Sequence, residues 1–475
     1  MMRIIDMYSF KYFVTIVYML QTTEYQPIEF LKWYWRTNDF SRVMHRKQLE
    51  RTKPAKLLLL ILIIGSVLQI ILGLLVVFLS PTTYGSIVGL AIILAYPAVW
   101  AHLIVIPLFF GRVFIINPKQ KKLINESKHI FKEHTGIKIA IAGSYGKTSM
   151  KELLNTVLSP NKKVAMTPAN KNVSISHAYF ASKLKGDEDI LLIEYGEGAP
   201  GDVPEFASIT SPNMAIITGI APAHLEKYPT LDDAAKDIFS LSQFVDSKDI
   251  YVNADSELAL GYIASGQNRY DHKGVLGWKI SDAKADITGT SFVMRKGKVV
   301  VKIKSGLLGL HNVGPLALCV ALAHEFGLSK KQIEENIAKT KAFEHRMQPR
   351  PINGAWIIDD TYNGNIEGMK AGLGLLKSLK AKRKIYVTPG LVDQGVETEN
   401  VHIEHGQAIA KAKPDRVILM DNSVTDFIKM GLDDAGYDNE LQIIKDPLEF
   451  YTNIEHFLAS GDIVLMQNDW TDNYN

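Results

Sequence analysis

Cysteine is nearly absent from this chain of 475 residues, and so is any strong excess of charge of one sign. The single cysteine, Cys319, excludes a disulfide within the chain and any metal site built from several cysteines. It lies in an apolar helical pattern, so we interpret it as a core residue. The net charge of +3 is too small to indicate a nucleic-acid partner. The chain also has no internal repeat and no low-complexity tract.

Long hydrophobic runs are present, but only near the N-terminus. The run Leu57–Leu79 carries no charge and, at about 1.5 Å per residue, is long enough to cross a bilayer core of roughly 30 Å. A second run, Ile87–Phe110, is interrupted by Pro97 and Pro107, so its helix is predicted to kink. We therefore predict two transmembrane helices, at about 57–79 and 87–110, within a membrane region that covers residues 1–116. Buried core helices are the alternative interpretation.

Basic residues flank both runs, whereas the turn between the runs carries no charge. The flanking residues are Arg42, Arg46, Lys47, Arg51, Lys53 and Lys56 before the first run, and Arg112, Lys119, Lys121 and Lys122 after the second. This distribution predicts that both ends of the hairpin lie in the cytoplasm. Upstream, Tyr8–Trp35 mixes aromatic, aliphatic and charged residues, and we predict an amphipathic helix at the membrane interface there.

From Gly136 onward, short β-branched runs alternate with helical patterns, which is typical of α/β domains with a mostly parallel sheet. The sequence predicts two such domains, at residues 117–343 and 344–475. The predicted strands are Ile137–Ala142, Asp189–Tyr195, Met214–Thr218, Ile250–Asn253, Trp356–Asp359, Lys384–Thr388, Arg416–Met420 and Ile463–Gln467, with further short strands between Gln267 and Lys304. Predicted helices include Met150–Leu158, Asn312–Phe326 and Lys330–Thr340, and Asn117–Thr135 is predicted to form a basic helical linker.

The segment Gly143–Ser149 has the composition of a phosphate-binding loop between a strand and a helix. Its glycines, Gly143 and Gly146, would let the backbone approach a phosphate, and the N-terminus of the following helix would face the anion. Lys147 would reach the outer phosphates and Thr148 would contact Mg²⁺. The first glycine of the full phosphate-loop pattern is missing, because Ile141 stands in its place. A glycine turn followed by a surface lysine is the alternative.

Polar residues follow several of the other predicted strands, at the sheet edge where open α/β sheets bind ligands. Glu194 ends one strand and is suited to Mg²⁺, which prefers oxygen ligands. His224 follows another strand and would contact a metal or a substrate, although a lone histidine is often structural. The segment Asp359–Asn365 closes a third strand, either as a plain turn or as a hydrogen-bonding lip for a nucleotide ribose. Asn312 precedes an alanine-rich helix and could simply cap it.

Taken together and in this order, these segments resemble the Mur ligases, the ATP-dependent amide-forming enzymes of peptidoglycan synthesis, and most of all the MurF type. The matching segments are Gly143–Ser149, Thr167–Asn172, Glu194–Gly196, Ala223–Glu226, Gly309–Val313, Arg346 and Ile358–Asn365. The resemblance covers about residues 136–425. It implies a P-loop central domain with a parallel sheet and a Rossmann-like C-terminal α/β domain, here preceded by a helical membrane hairpin.

The resemblance also implies roles for individual residues. Those that would bind ATP are Gly143, Ser144, Gly146, Lys147, Thr148, Ser149, Asn312, Arg346, Asp360, Tyr362 and Asn363. Magnesium would be held by Thr148, Glu194, His224 and Lys236, where Lys236 is the candidate for the carbamylated lysine found in many Mur ligases. Lys147, Glu194, His224 and Lys236 would be catalytic, and Thr167, Asn170 and Asn172 would bind substrate.

The implied reaction activates a carboxylate as an acyl phosphate, which an amine then converts to an amide. The expected substrate is a muramoyl peptide, soluble or lipid-linked, that receives D-alanyl-D-alanine or an amino acid. The expected location is the bacterial cytoplasmic membrane, with the catalytic domains on the cytoplasmic side and the bilayer as a partner. No nucleic-acid partner is expected, and the sequence does not indicate an oligomeric state.

Three features depart from the MurF pattern. Membrane segments replace the soluble N-terminal domain that holds the UDP-sugar, Pro315 stands where a second asparagine is expected, and the segments Pro389–Asp393 and Met466–Trp470 differ. ATP use therefore follows more directly from the sequence than substrate identity does. A membrane-bound poly-γ-glutamate or other amino-acid ligase is one alternative. A P-loop membrane NTPase that forms no amide bond is another.

Overall fold

The computed structural model describes residues 5–9, 11–23, 25–37, 40, 49–169, 171–222, 228, 230–362, 364–392 and 394–468. The chain divides into two compact units, Met1–Lys122 and Leu123–Asn475. Three of the predicted site residues, Asn170, His224 and Asn363, lie outside the described residues. The three domains expected from the sequence, 1–116, 117–343 and 344–475, stay a prediction.

The first unit is helical. Its helices are α1 (Tyr12–Thr22), α2 (Pro27–Arg36), α3 (Lys53–Leu79), α4 (Thr83–Leu94), α5 (Tyr96–Leu103) and α6 (Val105–Gly111), followed by a π-helical segment at Arg112–Ile116. Helix α7 (Asn117–Glu133) contains the last residues of this unit and the first of the next. Among the described residues, two helical stretches are long and apolar enough to cross a membrane, Lys53–Leu79 and Tyr96–Glu133, whose apolar 18-residue windows have mean hydropathies of 2.9 and 2.1.

Helices α3 and α4 approach each other closely through glycine. A Cβ atom added to Gly73 would lie 2.8 Å from the Gly89 carbonyl oxygen, and one added to Gly89 would lie 2.7 Å from the Gly73 carbonyl oxygen. Small residues at such a crossing are typical of helices that pack within membranes. Helix α3 begins at Lys53, four residues before the predicted run, where the Thr52 hydroxyl accepts from the backbone N–H of Ala55.

The second apolar run is not the single helix predicted for residues 87–110. Helix α4 ends at Leu94, α5 starts at Tyr96, and a further break falls at Ile104 before α6. Pro97 and Pro107 explain both breaks, because a proline ring removes one N–H donor and clashes with the carbonyl group four residues earlier. Helix α4 is about 18 Å long at 1.5 Å per residue, which is shorter than a bilayer core.

The segment Tyr8–Trp35 forms two helices rather than the one predicted. Tyr25 has a positive φ of 56° and separates α1 from α2. Ile16, Val17 and Leu20 of α1 are fully buried in a cluster that also contains Leu62 of α3. Helix α1 therefore packs against other helices of its own unit along one face.

The second unit contains a sheet of ten strands and the helices that cover it. The strands are β1 (Ile137–Ala142), β2 (Val164–Met166), β3 (Ile190–Glu194), β4 (Met214–Ile217), β5 (Ile250–Asn253), β6 (Asn268–Asp271), β7 (Gly274–Val275), β8 (Trp278–Asp286), β9 (Gly289–Lys296) and β10 (Val299–Ser305). The helices are α8 (Lys147–Leu158), α9 (Ser174–Ala181), α10 (Asp202–Thr210), α11 (Leu231–Phe239), α12 (Glu257–Leu260), α13 (Val313–Glu325) and α14 (Lys330–Ile337).

The strand order is β10-β9-β8-β7-β6-β5-β4-β1-β3-β2. In this order, the six strands β6, β5, β4, β1, β3 and β2 are parallel to their neighbours. The strands β6, β7, β8, β9 and β10 form successive antiparallel pairs. On β1, Ile139 and Ile141 enter one hydrophobic cluster, whereas Ala140 and Ala142 enter another. Both faces of the parallel part are therefore buried, as its continuous apolar strands require.

A second sheet has the order β11-β12-β16-β13-β14-β15 and is parallel except for the β11–β12 pair. Its strands are β11 (Gln348–Ile352), β12 (Ala355–Asp360), β13 (Arg383–Thr388), β14 (Arg416–Met420), β15 (Glu440–Ile444) and β16 (Asp462–Gln467). Its helices are α15 (Ile366–Ser378), α16 (Thr398–Ala412), α17 (Thr425–Asp434) and α18 (Pro447–Asn453). The predicted fold class is confirmed, with a mixed rather than a purely parallel central sheet.

Candidate functional site

The loop between β1 and α8 follows the strand–turn–helix order predicted for a phosphate-binding loop. Gly143 and Gly146 have φ values of 136° and 74°, which few residues other than glycine adopt. A Cβ on Gly143 would lie 2.9 Å from the Gly219 carbonyl oxygen after β4, so the turn has no room for a side chain. The Ser144 N–H donates to the same carbonyl over 2.8 Å. Helix α8 begins at Lys147, and Thr148 and Ser149 lie in its first turn.

Lys147 is held at the mouth of this loop by two acceptors. Its Nζ donates to the Gly143 carbonyl oxygen and lies 2.6 Å from Oε2 and 2.9 Å from Oε1 of Glu197. The Glu197 side chain is only 2% exposed and that of Lys147 is 13% exposed. The Lys147 ammonium, which the sequence predicts to contact a phosphate, is therefore paired with a buried carboxylate.

Glu194, at the end of β3, is a second buried carboxylate with several donors around it. Its Oε1 accepts from the Thr148 hydroxyl over 3.0 Å and from the Asn172 amide over 3.4 Å. Its Oε2 lies 2.9 Å from the Nζ of Lys151, a lysine with no exposed side-chain surface. The two predicted residues Thr148 and Glu194 are thus in direct contact, as a shared site requires.

The loop 167–172 is fastened to the same strand end. The Thr167 hydroxyl accepts from the backbone N–H of Glu194 over 3.1 Å, and the Gly196 N–H donates to the Asn172 carbonyl oxygen over 2.8 Å. Lys151 also donates to the Ala169 carbonyl oxygen. Thr167 and Asn172, which the family resemblance predicts to bind substrate, therefore lie beside Glu194.

Lys236 lies on the exposed side of α11. Its side chain is 68% exposed and its Nζ lies 2.5 Å from Oδ2 of Asp232, one turn earlier on the helix. This ion pair raises the pKa of Lys236, and carbamylation requires the neutral amine. Its assignment as a metal ligand stays a prediction, as does that of His224.

A second group of predicted residues lies at the start of the C-terminal sheet. The Arg346 guanidinium stacks over the Tyr362 ring, with its Cζ 4.2 Å from the ring centroid. Asp360, at the end of β12, accepts from the Met347 N–H at Oδ1 over 3.1 Å and from the Gln467 amide at Oδ2 over 2.7 Å. Burial raises the pKa of the Asp360 carboxyl to about 7.

One charge effect links the loop 143–149 with helix α15. The negative charge of Glu367, in the first turn of α15, adds to burial in raising the pKa of Tyr145 in the phosphate-binding loop. The Asn312 side chain, by contrast, hydrogen-bonds only to nearby residues within the described chain: its amide donates to the Leu308 carbonyl oxygen over 2.8 Å and lies 3.1 Å from His311 Nε2.

Sequence reasoning missed three residues of this region, namely Lys151, Glu197 and Gln467. Lys151 lies one helical turn after Lys147, so the spacing on α8 places both on one face. Glu197 follows Glu194 by three residues in a glycine-rich turn, and that spacing was the available signal. Gln467 ends a predicted strand, but only the pairing of β16 with β12 places it beside Asp360.

The side chains at the end of β3 are compatible with Mg²⁺. Thr148 and Glu194 offer hard oxygen atoms, which this ion prefers. A carboxylate has about four lone-pair positions. Within the described residues, three donors contact that of Glu194, namely Thr148, Asn172 and Lys151, and they leave one position for a cation.

Two family models match the chain in sequence. The Mur ligase middle domain matches residues 141–323, and the Mur ligase, glutamate ligase domain matches residues 345–467. The chain is 28% identical over 293 residues to the UDP-N-acetylmuramoyl-tripeptide–D-alanyl-D-alanine ligase of Escherichia coli. That alignment covers 59% of this chain and 63% of the relative, so the chain spans less than two thirds of that enzyme's length.

Solved structures give the same fold. MurF ligase from Thermotoga maritima in complex with ADP aligns with a TM-score of 0.64 and 20% identity, covering 74% of this chain and 80% of the other. MurF from Acinetobacter baumannii aligns with a TM-score of 0.64 and 18% identity, covering 74% and 77%. In both cases the likeness concerns the α/β architecture.

Proposed function

Because the chain belongs to the Mur ligase family, we propose that it is an ATP-dependent ligase that joins a carboxylate to an amine through an acyl phosphate. The observation that carries this proposal is the contact of Thr148 with Glu194 beside Lys147, at the adjacent ends of β1 and β3. Phosphoryl transfer depends on positioning and charge neutralisation more than on a nucleophilic side chain. A loop with a lysine, a buried carboxylate and a helix N-terminus meets that requirement.

The loop 143–149 binds the phosphates of ATP in this proposal. Backbone N–H groups at the start of α8 point toward the anion, and Lys147 neutralises its outer oxygens. Lys147 must first leave Glu197, whose carboxylate it contacts at 2.6 Å. Mg²⁺ would be held by Thr148 and Glu194, and it supplies further charge neutralisation at the phosphate oxygens when bound.

The remaining part of the nucleotide is held by residues near the C-terminal sheet. Asp360 accepts hydrogen bonds from the ribose, and Arg346 and Tyr362 line the pocket as one stacked pair. Asn312 and Asn363 complete this group on the strength of the family resemblance. Thr167, Asn170 and Asn172 would contact the substrate, since their loop is fastened to the Glu194 strand end.

The substrate is a muramoyl peptide that receives D-alanyl-D-alanine or an amino acid. The E. coli relative bears the name of such an enzyme and supports this choice. The match covers 63% of that relative's length, so the identity of the substrate is part of the proposal. Incubation of the purified protein with a panel of muramoyl peptides, with and without D-alanyl-D-alanine, tests it through release of phosphate and the mass of the product.

Lys147→Ala should abolish phosphate release, and the matched variant Lys183→Ala, at an exposed lysine, should leave it unchanged. If Lys147→Ala retains full activity, the phosphate-loop assignment is wrong. ATP hydrolysis that no pair of acid and amine stimulates would favour an NTPase, and glutamate addition would favour a poly-γ-glutamate-type ligase.

The helical unit anchors the enzyme to the cytoplasmic membrane, with the catalytic domains on the cytoplasmic side. This location is supported by the 27-residue helix Lys53–Leu79, because only 22% of its apolar 18-residue window is buried. Leu68, Leu74 and Phe78 on this helix expose 61%, 55% and 83% of their surface, and lipid would cover them. The acceptor is then a lipid-linked or membrane-proximal muramoyl peptide. Equal use of a soluble UDP-linked acceptor by a truncated protein beginning near Ile115 would contradict this.

A further inference from the structure

Strand β16 ends beside Asp360, and the family resemblance assigns no role to the residues at this strand end. Its last residue, Gln467, is paired with Asp360 of β12 in the parallel register. Gln467 and the next residue, Asn468, are 1% and 4% exposed. Two buried amide side chains at a strand end require hydrogen-bond partners, since an unpaired buried amide is costly.

The partners of Gln467 form a chain that leads to Asp360. Its Nε2 donates to Asp360 Oδ2 over 2.7 Å, and its Oε1 accepts from the Tyr386 hydroxyl over 3.1 Å. The Tyr386 oxygen lies 2.8 Å from Nε2 of His405 on α16. Burial lowers the pKa of His405 to about 3, so its imidazole is neutral at pH 7.

This chain has only one consistent direction. The Gly368 carbonyl oxygen, 3.3 Å from Nε2 of Gln467, can only accept, so Gln467 must present its amino group to Gly368 and Asp360 and its carbonyl oxygen to Tyr386. The Tyr386 hydroxyl then donates to Oε1 of Gln467, and His405 donates from Nε2 to the Tyr386 oxygen. Nδ1 of His405 has no hydrogen-bond partner in the described part of the chain. This agrees with the Nε2-protonated tautomer, because an unprotonated Nδ1 does not need an acceptor.

Asn468 fastens the loop that follows Asp360. Its N–H donates to the Asp360 carbonyl oxygen over 3.1 Å and its Oδ1 accepts from the Gly364 N–H over 2.6 Å. Its amide donates to the Gly390 carbonyl oxygen after β13. Its positive φ of 63° suits asparagine better than most residues. The strand end thus fixes both the Asp360 side chain and the start and middle of its loop.

We propose that Gln467 is a positioning residue of the nucleotide site, which orients the Asp360 carboxylate toward the ribose hydroxyls. This inference rests on the proposed function, because it takes Asp360 as the ribose acceptor. The bond from Gln467 occupies one position on Oδ2, and that from the Met347 N–H occupies one on Oδ1. Each oxygen keeps a further lone pair for a hydroxyl donor.

The charged groups around Asp360 set its pH dependence. Burial raises its pKa to about 7, the bonds from Gln467 and Met347 and the charge of Arg346 oppose that rise, and the charge of Asp359 adds to it. Ribose hydroxyls bind best to the ionised form, so affinity for ATP is lost as the pH falls through about 7. Without the Gln467 donor, the affinity for ATP is lost at a higher pH. With a cation at position 467, it is lost at a lower pH.

The experiment compares ATP with 2′,3′-dideoxy-ATP, which lacks both ribose hydroxyls, in binding assays on the full-length protein. We expect the wild-type protein to bind ATP at least tenfold more tightly than the dideoxy analogue. Gln467→Leu should reduce this ratio to about threefold or less, and Gln407→Leu, at an exposed glutamine of α16, should not change it. A merely structural role would weaken both nucleotides equally and preserve the ratio.

The second readout is the midpoint of the pH dependence of ATP binding. It should rise in Gln467→Leu and fall in Gln467→Lys, and opposite shifts cannot arise from general destabilisation. Unchanged ratios and midpoints in both variants would overturn the inference. Failure of the wild-type protein to bind ATP at all would instead overturn the proposed function, so the two failures are distinguishable.

Discussion

Glu197 is the residue whose position most directly limits what Lys147 can do. Both carboxylate oxygens of Glu197 contact the Lys147 Nζ, at 2.6 and 2.9 Å, and the glutamate side chain is almost fully buried. The same nitrogen must reach a phosphate if the loop binds ATP. The carboxylate therefore competes with the nucleotide for one cation, and binding must include the exchange of one anion for another.

The change Glu197→Gln tests this competition. Because the amide carries no charge, we expect Lys147 to become available and the Kd for ATP to fall roughly tenfold. Hydrogen bonds to charged groups contribute about 1.5 kcal/mol or more, and about 1.4 kcal/mol corresponds to a factor of ten. Titration with a fluorescent ATP analogue without Mg²⁺ measures it, with Glu205→Gln at an exposed glutamate as the control. A higher Kd would mean that Glu197 assists nucleotide binding instead.

Lys151 gives a second prediction at the scale of single residues. Lys151 forms an ion pair with Glu194, and the two side chains are 0% and 2% exposed, respectively. Lys151→Met therefore leaves a buried carboxylate without its cation. We expect the free energy of unfolding to fall by about 3–5 kcal/mol. Urea unfolding followed by fluorescence measures this effect, and Lys151→Arg should restore much of the lost stability.

Lys163 provides the matched control for that measurement. It forms an ion pair of the same type with Asp187, at 2.6 Å, but both side chains are more than half exposed. Solvent screens such a pair, so Lys163→Met should barely change the free energy of unfolding. Equal effects of Lys151→Met and Lys163→Met would show that burial of Glu194 does not determine the strength of its pair.

Among secondary-structure elements, the close crossing of α3 and α4 restricts most strongly which residues can occupy the contact. Each of Gly73 and Gly89 has the carbonyl oxygen of the other within 3 Å of the place where its Cβ would be. We expect Gly89→Val to force the two helices apart and to cost about 1–3 kcal/mol, the usual range for overpacking. Detergent-induced unfolding measures this.

Gly111, at the end of α6, is the control for Gly89 because its Cβ would meet nothing within 4 Å. Gly111→Val should therefore leave the detergent midpoint close to that of the wild-type protein. A Gly89→Val protein as resistant as Gly111→Val would mean that α3 and α4 do not pack through glycine.

The elements that carry the site were predictable because their strands are buried on both faces. The bounds of β1, β5 and β14 match the prediction at both ends, since a continuous apolar run is the direct sequence signal of such a strand. Edge strands gave no such signal. Strand β11 contains Pro349 and Pro351, which only an edge strand tolerates, and it was not predicted.

The same distinction separates the site residues that were predicted from those that were not. Lys147, Thr148 and Glu194 lie in local patterns of loop and strand end, and the structure brings them together. Gln467 contributes through a pairing of β16 with β12, more than 100 residues apart, which no local pattern encodes. Its role depends on topology, and topology is where sequence reasoning had the least information.

At the scale of the whole molecule, the helical unit lies outside the two matched family domains. The Mur ligase domains match residues 141–323 and 345–467, so residues 1–140 lie outside both matches. Within that stretch, the basic residues that follow the second apolar run and precede the first would hold both ends of a hairpin on the cytoplasmic side. The orientation of the proposed hairpin would then determine which compartment supplies ATP to the catalytic domains.

Cysteine labelling can determine that orientation, because the chain's single cysteine, Cys319, is buried and should stay unreactive. Thr83 and Lys121 are exposed, the first at the start of α4 and the second beyond the apolar segments. With a membrane-impermeant maleimide on intact cells, Thr83→Cys should be labelled and Lys121→Cys should be labelled only after permeabilisation. Labelling of Lys121→Cys in intact cells would place the catalytic domains outside, where ATP is scarce, and the ligase proposal would then fail together with the topology.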